Sequence, residues 1–512
     1  MRGPHNIWRL IRTAGTFERT GAMDVVLDQM DVPPSLRVAA RVLGWPFRWV
    51  GLKGDPSLPP VTRAITALGP SYIKFGQILS TRPDFVGSDL ALQLRVLQDK
   101  LPPFPTDQAK AMVARDLGCP VEAVFTEFSE PVAAASIAQV HQARLAADGR
   151  KVAVKVLRPG IARAFRRDID AFYLGAQVVE LLAPSSRRLR PMDVIAHFDA
   201  TVQQELDLRT EAAAASEFHA NTERDAGFTV PQVEWGLSGR AVLTLDWAEG
   251  IQLADLDALD AAGHDRVELS ERVIAMFLRH ALRDGYFHAD MHQGNLKVAP
   301  GGDIVALDFG IMGRLDEYTR RVYAEILMGF IRKDYHRVAE VHFEAGYVPA
   351  DRDVDLFAQA LRSVGEPIFG MDASRISMGR LLAYLFEVTE RFGMETRTEL
   401  ILLQRTMVVV EGVARTLNPH MNLWTAGRPE IERYIRENLG PRAFGRDLAN
   451  TARVLARFGP HLPQALEDAL RGRRRDGGPV VVVPPRRMGA ALWFLMGAGT
   501  AVAGVALGLL LG

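Results

Sequence analysis

Apolar positions recur along this chain at two distinct periods. Over residues 161–222 and 318–470 they return every three or four positions, the spacing that lines one face of a helix, with a break of Ala, Pro, Ser and Arg near Pro184. Over 123–160 and 228–250 the pattern is that of strands. The clearest alternation runs over 151–156, where Val152, Val154 and Val156 share one face and Lys155 projects from the other. Asp148 and Gly149 predict a hairpin turn ahead of it. Residues 300–303 predict a second turn, before the short arm 304–307. Residues 240–250 read as a buried strand leading into a turn. No repeat at a solenoid period is present.

The last 25 residues, 488–512, carry no charge. A helix of that length rises roughly 37 Å, enough to cross a ~30 Å hydrocarbon core with some tilt, so one C-terminal transmembrane helix is expected. Arg471, Arg473, Arg474, Arg475, Arg486 and Arg487 precede it, which by the positive-inside rule keeps the rest of the chain cytoplasmic. Gly504, Gly508 and Gly512 stand four apart. They could form a face for a homodimer through this helix, or reflect drift in an Ala/Gly-rich tail. Residues 479–485 read as a linker.

Composition narrows the class. The 512 residues suggest about three domains, and 48% hydrophobic with 24% charged residues is globular rather than disordered. Lys plus Arg (61) balances Asp plus Glu (61), which excludes nucleic-acid binding through bulk charge. The single cysteine, Cys119, excludes an internal disulfide, CxxC zinc sites and iron–sulfur clusters, and fits a reducing compartment. The N-terminus lacks the apolar run of a secretory signal.

The chemistry concentrates in residues 284–315. His288, Asp290 and Asn295 form H-x-D-x-x-x-x-N, followed by the hairpin and by Asp308, Phe309 and Gly310. This is the order of a kinase catalytic loop and a DFG motif. Phosphoryl transfer needs a carboxylate near the attacking oxygen, here Asp290, and oxygen ligands for magnesium, here Asn295 and Asp308. Lys155 matches the strand lysine that meets the phosphates of ATP. No G-x-G-x-x-G precedes that strand. The corresponding nucleotide-binding segment is Val132, Ala133, Ala134, Ala135, Ser136, Ile137, Ala138, Gln139 and Val140. Alanines leave backbone N–H groups for phosphate, but their Cβ atoms make a stiffer lid.

Four ordered motifs carry a family resemblance: Lys74 to Gln77 (K-x-G-Q), the alanine-rich run Ala133 to His141, Glu205 with Asp207 (E-x-D), and His288 to Asn295 with the DFG. With these the chain resembles the UbiB family of atypical kinase-like proteins, from about residue 5 to its end. The resemblance implies an α+β, two-lobed protein-kinase-like fold with an N-terminal helical extension, to which the uncharged tail adds the expected C-terminal transmembrane helix. The expected parts are an extension over 1–110, an N-lobe over 111–250, a helical C-lobe over 251–470, a basic linker over 471–487 and the span over 488–512. It implies that Lys155 pairs with Glu211, and that Lys74, Gln77, Glu205 and Asp207 cover the site, Lys74 near Glu205. ATP and Mg2+ are the implied cofactors. Implied partners are membrane lipid, polyprenylated quinone intermediates and ubiquinone-biosynthesis enzymes, at a bacterial inner membrane.

Read without the family, Lys74 and Gln77 are i,i+3 neighbours on a helix whose other positions include Tyr72, Phe75 and Leu79. Asp207 and Glu211 would be like charges at i,i+4, which Lys155 and Lys74 are placed to relieve. Met291 and Gln293 stand where the family loop usually has proline. An ATPase supporting ubiquinone synthesis is the leading expectation. A true phosphotransferase and a nucleotide- and lipid-binding scaffold are the alternatives. Arg405 reads as the edge of an amphipathic helix.

Overall fold

A computed structural model describes residues 4–29, 45–80, 102–182, 190–370 and 398–438, with 90, 93, 94, 97, 387, 388 and 390–394. Ten strands lie among them: β1 (Phe125–Ala134), β2 (Ala138–Leu145), β3 (Lys151–Leu157), β4 (Phe228–Thr229), β5 (Val242–Asp246), β6 (Ile251–Gln252), β7 (Tyr286–His288), β8 (Leu296–Val298), β9 (Ile304–Ala306) and β10 (Met312–Arg314). The chain divides into two compact units. The first runs to Ala212 and adds Val233–Trp247; the second takes Ala213–Gln232 and the described residues from Ala248 onward.

In the first unit β1, β2, β3 and β5 form an antiparallel sheet in that order. The expected alternation is present: Val152, Val154 and Val156 are fully buried, and Lys155 lies on the other face between them. Helix Thr106–Leu117 closes the valine face with Ala109, Met112 and Val113. Each buried valine contributes about 1.5–3 kcal/mol. In the last turn of that helix, Asp116 accepts the N–H groups of Ala241 and Val242 at 2.7 and 3.0 Å, which ties the helix to the start of β5.

Most other described residues of this unit are helical. Helices Pro4–Thr20, Pro60–Leu68, Pro70–Ser80, Ile161–Leu182 and Pro191–Glu205 share a core in which Phe75 packs on Phe172 and Phe198 at 5.2 and 5.1 Å. The Thr13 and Tyr72 hydroxyls lie 2.6 Å apart, and Arg9 pairs with Asp168. Gly15 lets helix Pro4–Thr20 meet the turn Trp45–Trp49, since a Cβ there would lie 2.2 Å from the Phe47 carbonyl oxygen.

The second unit holds two small sheets, β7 with β10, and β4-β9-β8-β6 in which β4 and β9 are parallel. Residues 300–303 make the expected turn, with the Ala299 N–H on Asp303 O at 2.8 Å and Gly302 at φ +90°. The run 228–250 holds two strands as expected, β4 and β5, the second of them buried over Val242–Thr244. Pro231, Gly236 and Gly239 break that run, and β4 and β5 join sheets in different units. Asp265, Asp316 and Asp334 cap the N-termini of helices Arg266–Arg279, Glu317–Arg332 and Tyr335–Glu344.

The expected transmembrane helix is also corrected. Among the described residues no helix is long and apolar enough to cross a membrane. Residues 488–512, the linker before them and the proposed glycine face lie outside the described residues. The two longest described helices, Ile161–Leu182 and Thr398–Leu417, carry charges along their length, among them Arg166, Asp170 and Glu180 in one and Arg405, Glu411 and Arg415 in the other. The inner-membrane location that rested on the span is dropped with it.

A buried charge network holds the second unit. The Asp225 carboxylate meets His280 Nε2 at 3.1 Å and Arg283 at 2.5 and 2.9 Å, and the Phe218 and Phe228 rings enclose the imidazole at 5.0 and 4.8 Å. Burial opposes the charge on Asp225, but these donors more than offset it and hold its carboxyl well below the usual range. Burial likewise lowers His280. Both groups therefore stabilise the fold fully above their unfolded values of 6.5 and 3.8, and that stability is lost on acidification, through His280 first. Asp225→Asn is expected to remove about 3 kcal/mol in denaturant melts at neutral pH, with the gap to the native chain narrowing below about pH 4.

Candidate functional site

The first unit brings Lys155 of β3 to Glu211 of helix Leu208–Thr222. Its Nζ lies 2.7 and 2.9 Å from the two carboxylate oxygens, and the side chains are 16% and 9% exposed. Lys74 meets Glu205 at 2.7 Å, also largely out of water. Gln77 donates to the Leu97 carbonyl at 3.3 Å.

Asp207 differs from the reading. Helix Pro191–Glu205 ends before it and helix Leu208–Thr222 starts after it, so it shares no helix with Glu205 or Glu211. Its carboxylate accepts the Arg209 N–H and guanidinium at 3.2, 2.8 and 2.5 Å, a local pairing that meets neither lysine.

The alanine-rich segment is the junction of β1 and β2. Val132, Ala133 and Ala134 end β1, residues 135–137 turn, and Ala138, Gln139 and Val140 open β2. Ser136, Ala138 and Gln139 are buried. The Ala135 N–H is taken by the Ala138 carbonyl at 2.8 Å, so one of the amides expected to face a phosphate is used within the turn. Gln139 is engaged too. Its Oε1 accepts the Phe104 N–H at 3.0 Å, and its Nε2 donates to Phe104 O at 3.2 Å and to His141 Nε2 at 2.8 Å. That fixes His141 as the Nδ1–H tautomer donating to Ser129 O at 2.7 Å, and burial lowers its pKa.

In the second unit His288 organises the motif. The Asp290 N–H donates to its Nδ1, and its Nε2–H donates to the Leu307 carbonyl, both at 3.0 Å. The two bonds together require the neutral Nε2–H imidazole, and burial pushes its pKa down, which favours that form. One ring thus spans from the backbone of the acid itself to the residue before Asp308. Asn295 donates from Nδ2 to Asp290 O at 3.0 Å and to Oδ2 at 3.4 Å, which turns its Oδ1 away from Asp290. Asp308 adopts φ +60°, rare for an L-residue, and its Oδ1 receives the Gly310 N–H at 3.4 Å. Phe309 is buried against the His288 and Phe218 rings at 5.7 and 6.1 Å. Met291 is buried and Gln293 exposed, so the first replacement packs where the second faces water.

Several groups that act on these residues were not singled out from sequence. Thr406 Oγ1, fully buried, lies 3.1 Å from Ala289 O in the catalytic-loop motif. Arg314, just past the DFG, grips both Glu217 oxygens at 2.8 Å and stacks on Tyr286 at 4.6 Å. Lys297 donates to Ala248 O at 3.0 Å, and burial lowers its pKa. For Thr406 no sequence signal existed, because its partner lies 117 positions away. For Arg314 the nearness of the DFG was a usable one. Arg405 is exposed on its helix, and Arg415 pairs with the buried Glu411 at 2.8 Å.

Known proteins share this plan. The ABC1 atypical kinase-like domain matches residues 96–342, and the UbiB helical domain matches 361–422. The probable protein kinase UbiB of Marinobacter nauticus is 39% identical over 477 residues, covering 92% of this chain and 86% of the relative. Its counterpart in Aliivibrio fischeri is 41% identical over 413 residues, 80% of this chain and 76% of the relative. Among solved structures, the Rv3197–erythromycin complex from Mycobacterium tuberculosis is similar in fold, with a TM-score of 0.50, 24% identity, and coverage of 64% of this chain and 82% of that one.

His288→Leu leaves the Asp290 N–H and the Leu307 carbonyl unpaired. It is expected to lower stability by about 3 kcal/mol in denaturant melts.

Proposed function

Because this chain belongs to the UbiB family of atypical kinase-like proteins, we propose that it binds and hydrolyses Mg-ATP in support of ubiquinone biosynthesis, at the hydroxylation stage or in handling polyprenylphenol intermediates. The observation that carries the reading is the Lys155 and Glu211 pair, two charges taken largely out of water and held at 2.7 Å. A bare lysine on a strand would stay solvated. Here Glu211 keeps the ammonium extended along the sheet, ready for the α/β-phosphates. Asp290 supplies the carboxylate that orients the attacking oxygen and accepts its proton. His288 holds that acid in place as a neutral ring.

Asn295 and Asp308 fit a hard cation, since both present side-chain oxygens and lie on one short run of backbone. Among the described residues no group of three or more His, Cys, Asp and Glu is arranged to hold a metal by itself. That donor set suits magnesium, which commonly completes its shell with phosphate oxygens and water. When bound, the ion neutralises charge on the phosphoryl oxygens. Hydrolysis is preferred to protein phosphorylation because the K-x-G-Q helix is a packed element, with Lys74 and Gln77 both committed to partners in its own unit. Polyprenylated quinone intermediates, the lipid that carries them and the enzymes that modify them are the proposed partners.

Phosphate release from Mg-ATP, with and without a phenolic quinone-precursor analogue, tests the reading. Turnover should rise with the phenol and fall about a hundredfold or more in Asp308→Asn. Lys155→Met should chiefly weaken nucleotide binding. Equal turnover in the native chain and Asp308→Asn overturns the proposal. Labelled γ-phosphate appearing on an added acceptor would replace hydrolysis by phosphotransfer.

A further inference from the structure

The alanine-rich turn is tied down from below by one guanidinium. Arg158, just past β3, donates from Nε and Nη2 to the Ala135 carbonyl at 3.1 and 2.9 Å and from Nη1 to the Pro102 carbonyl at 2.9 Å. Its backbone N–H meets Ile137 O at 2.8 Å. The Phe104 ring lies 5.7 Å from the guanidinium carbon, and burial lowers the Arg158 pKa. The strap formed by residues 102–104 is gripped a second time by Gln139, which takes both the N–H and the C=O of Phe104. Gln139 is itself held by His141, and His141 by Ser129. Turn, strap and sheet are thus joined by a closed set of hydrogen bonds through two side chains.

We propose that Arg158 and Gln139 are positioning residues that lock the alanine-rich turn to the 102–104 strap, and that releasing this lock is what nucleotide exchange requires. The inference rests on the nucleotide reading of the turn. The alanine Cβ atoms limit the turn's own conformations. The lock removes the remaining freedom, because the turn's carbonyls at 135 and 137 both point to Arg158. A glycine-rich lid can lift without its neighbours. This turn can lift only by breaking a charge-assisted bifurcated bond, a stronger contact than a neutral hydrogen bond. A strap supplied by a segment that precedes the sheet also gives any change in that segment a direct route to nucleotide release.

The test uses the full chain and the variants Arg158→Met, Arg158→Lys, Gln139→Leu and the Arg158/Gln139 double variant. Amide hydrogen exchange of residues 133–138 without nucleotide reads the lock by itself. Release of a fluorescent ADP analogue reads its consequence. Arg158→Met and Gln139→Leu should each speed exchange in the turn about tenfold and ADP release by a similar factor. Arg158→Lys should recover part of the loss. The double variant should go little further than either single one, since both hold one strap. Melting temperatures show that the units remain folded. Unchanged turn exchange in folded Arg158→Met overturns the lock. Faster turn exchange with unchanged ADP release overturns its role in nucleotide exchange. If the native chain binds no nucleotide, the nucleotide reading fails, while amide exchange still decides whether the lock exists.

Discussion

A charge removed from water must meet an opposite charge or a set of hydrogen bonds, and that constraint organises both units. Lys155 has been drawn onto the sheet and finds Glu211 at 2.7 Å. Lys74 finds Glu205, Arg9 finds Asp168, and Asp225 finds His280 and Arg283. Pairs of this kind add little net stability, because desolvation offsets much of the attraction. Their effect is to exclude alternatives: an unpaired partner left behind is strongly unfavourable. The pair with Glu211 therefore fixes where Lys155 can point.

The catalytic-loop side follows the same logic with neutral groups. His288 is buried and cannot be charged without losing the Asp290 N–H as a donor partner. It joins the segment carrying the acid to the segment carrying Asp308 through two bonds of equal length. Thr406 adds a third attachment at Ala289. The left-handed Asp308 is sustained by this surround, and the buried Phe309 ring anchors the residue after it.

Much of this was legible from residue order. Period-two alternation marked β3 and put Lys155 opposite three valines, because a pleated strand allows no other arrangement. The spacing of His288, Asp290, Asn295 and Asp308 announced the loop and the hairpin between them. Other features depended on distant partners. Nothing near Asp207 showed that the helix would break beside it, and Arg209 two residues on captured it. Gln139 looked like part of a phosphate loop, yet its amide is spent on Phe104, 35 positions earlier. The run 228–250 read as strands, and it holds β4 and β5. Its proline and glycines divided it between two sheets. The C-terminal expectation rested on hydropathy alone, and the described helices carry no span.

At the centre stands the proposal that Lys155 meets the phosphates of ATP, and that Asn295 and Asp308 hold the Mg2+. Its most direct test is a crystal structure with Mg2+ and a non-hydrolysable ATP analogue. The account predicts Lys155 Nζ on a phosphate oxygen with Glu211 still paired, and the metal bound through Asn295 Oδ1 and the Asp308 carboxylate. A nucleotide seated elsewhere, or a metal that ignores Asp308, would contradict it.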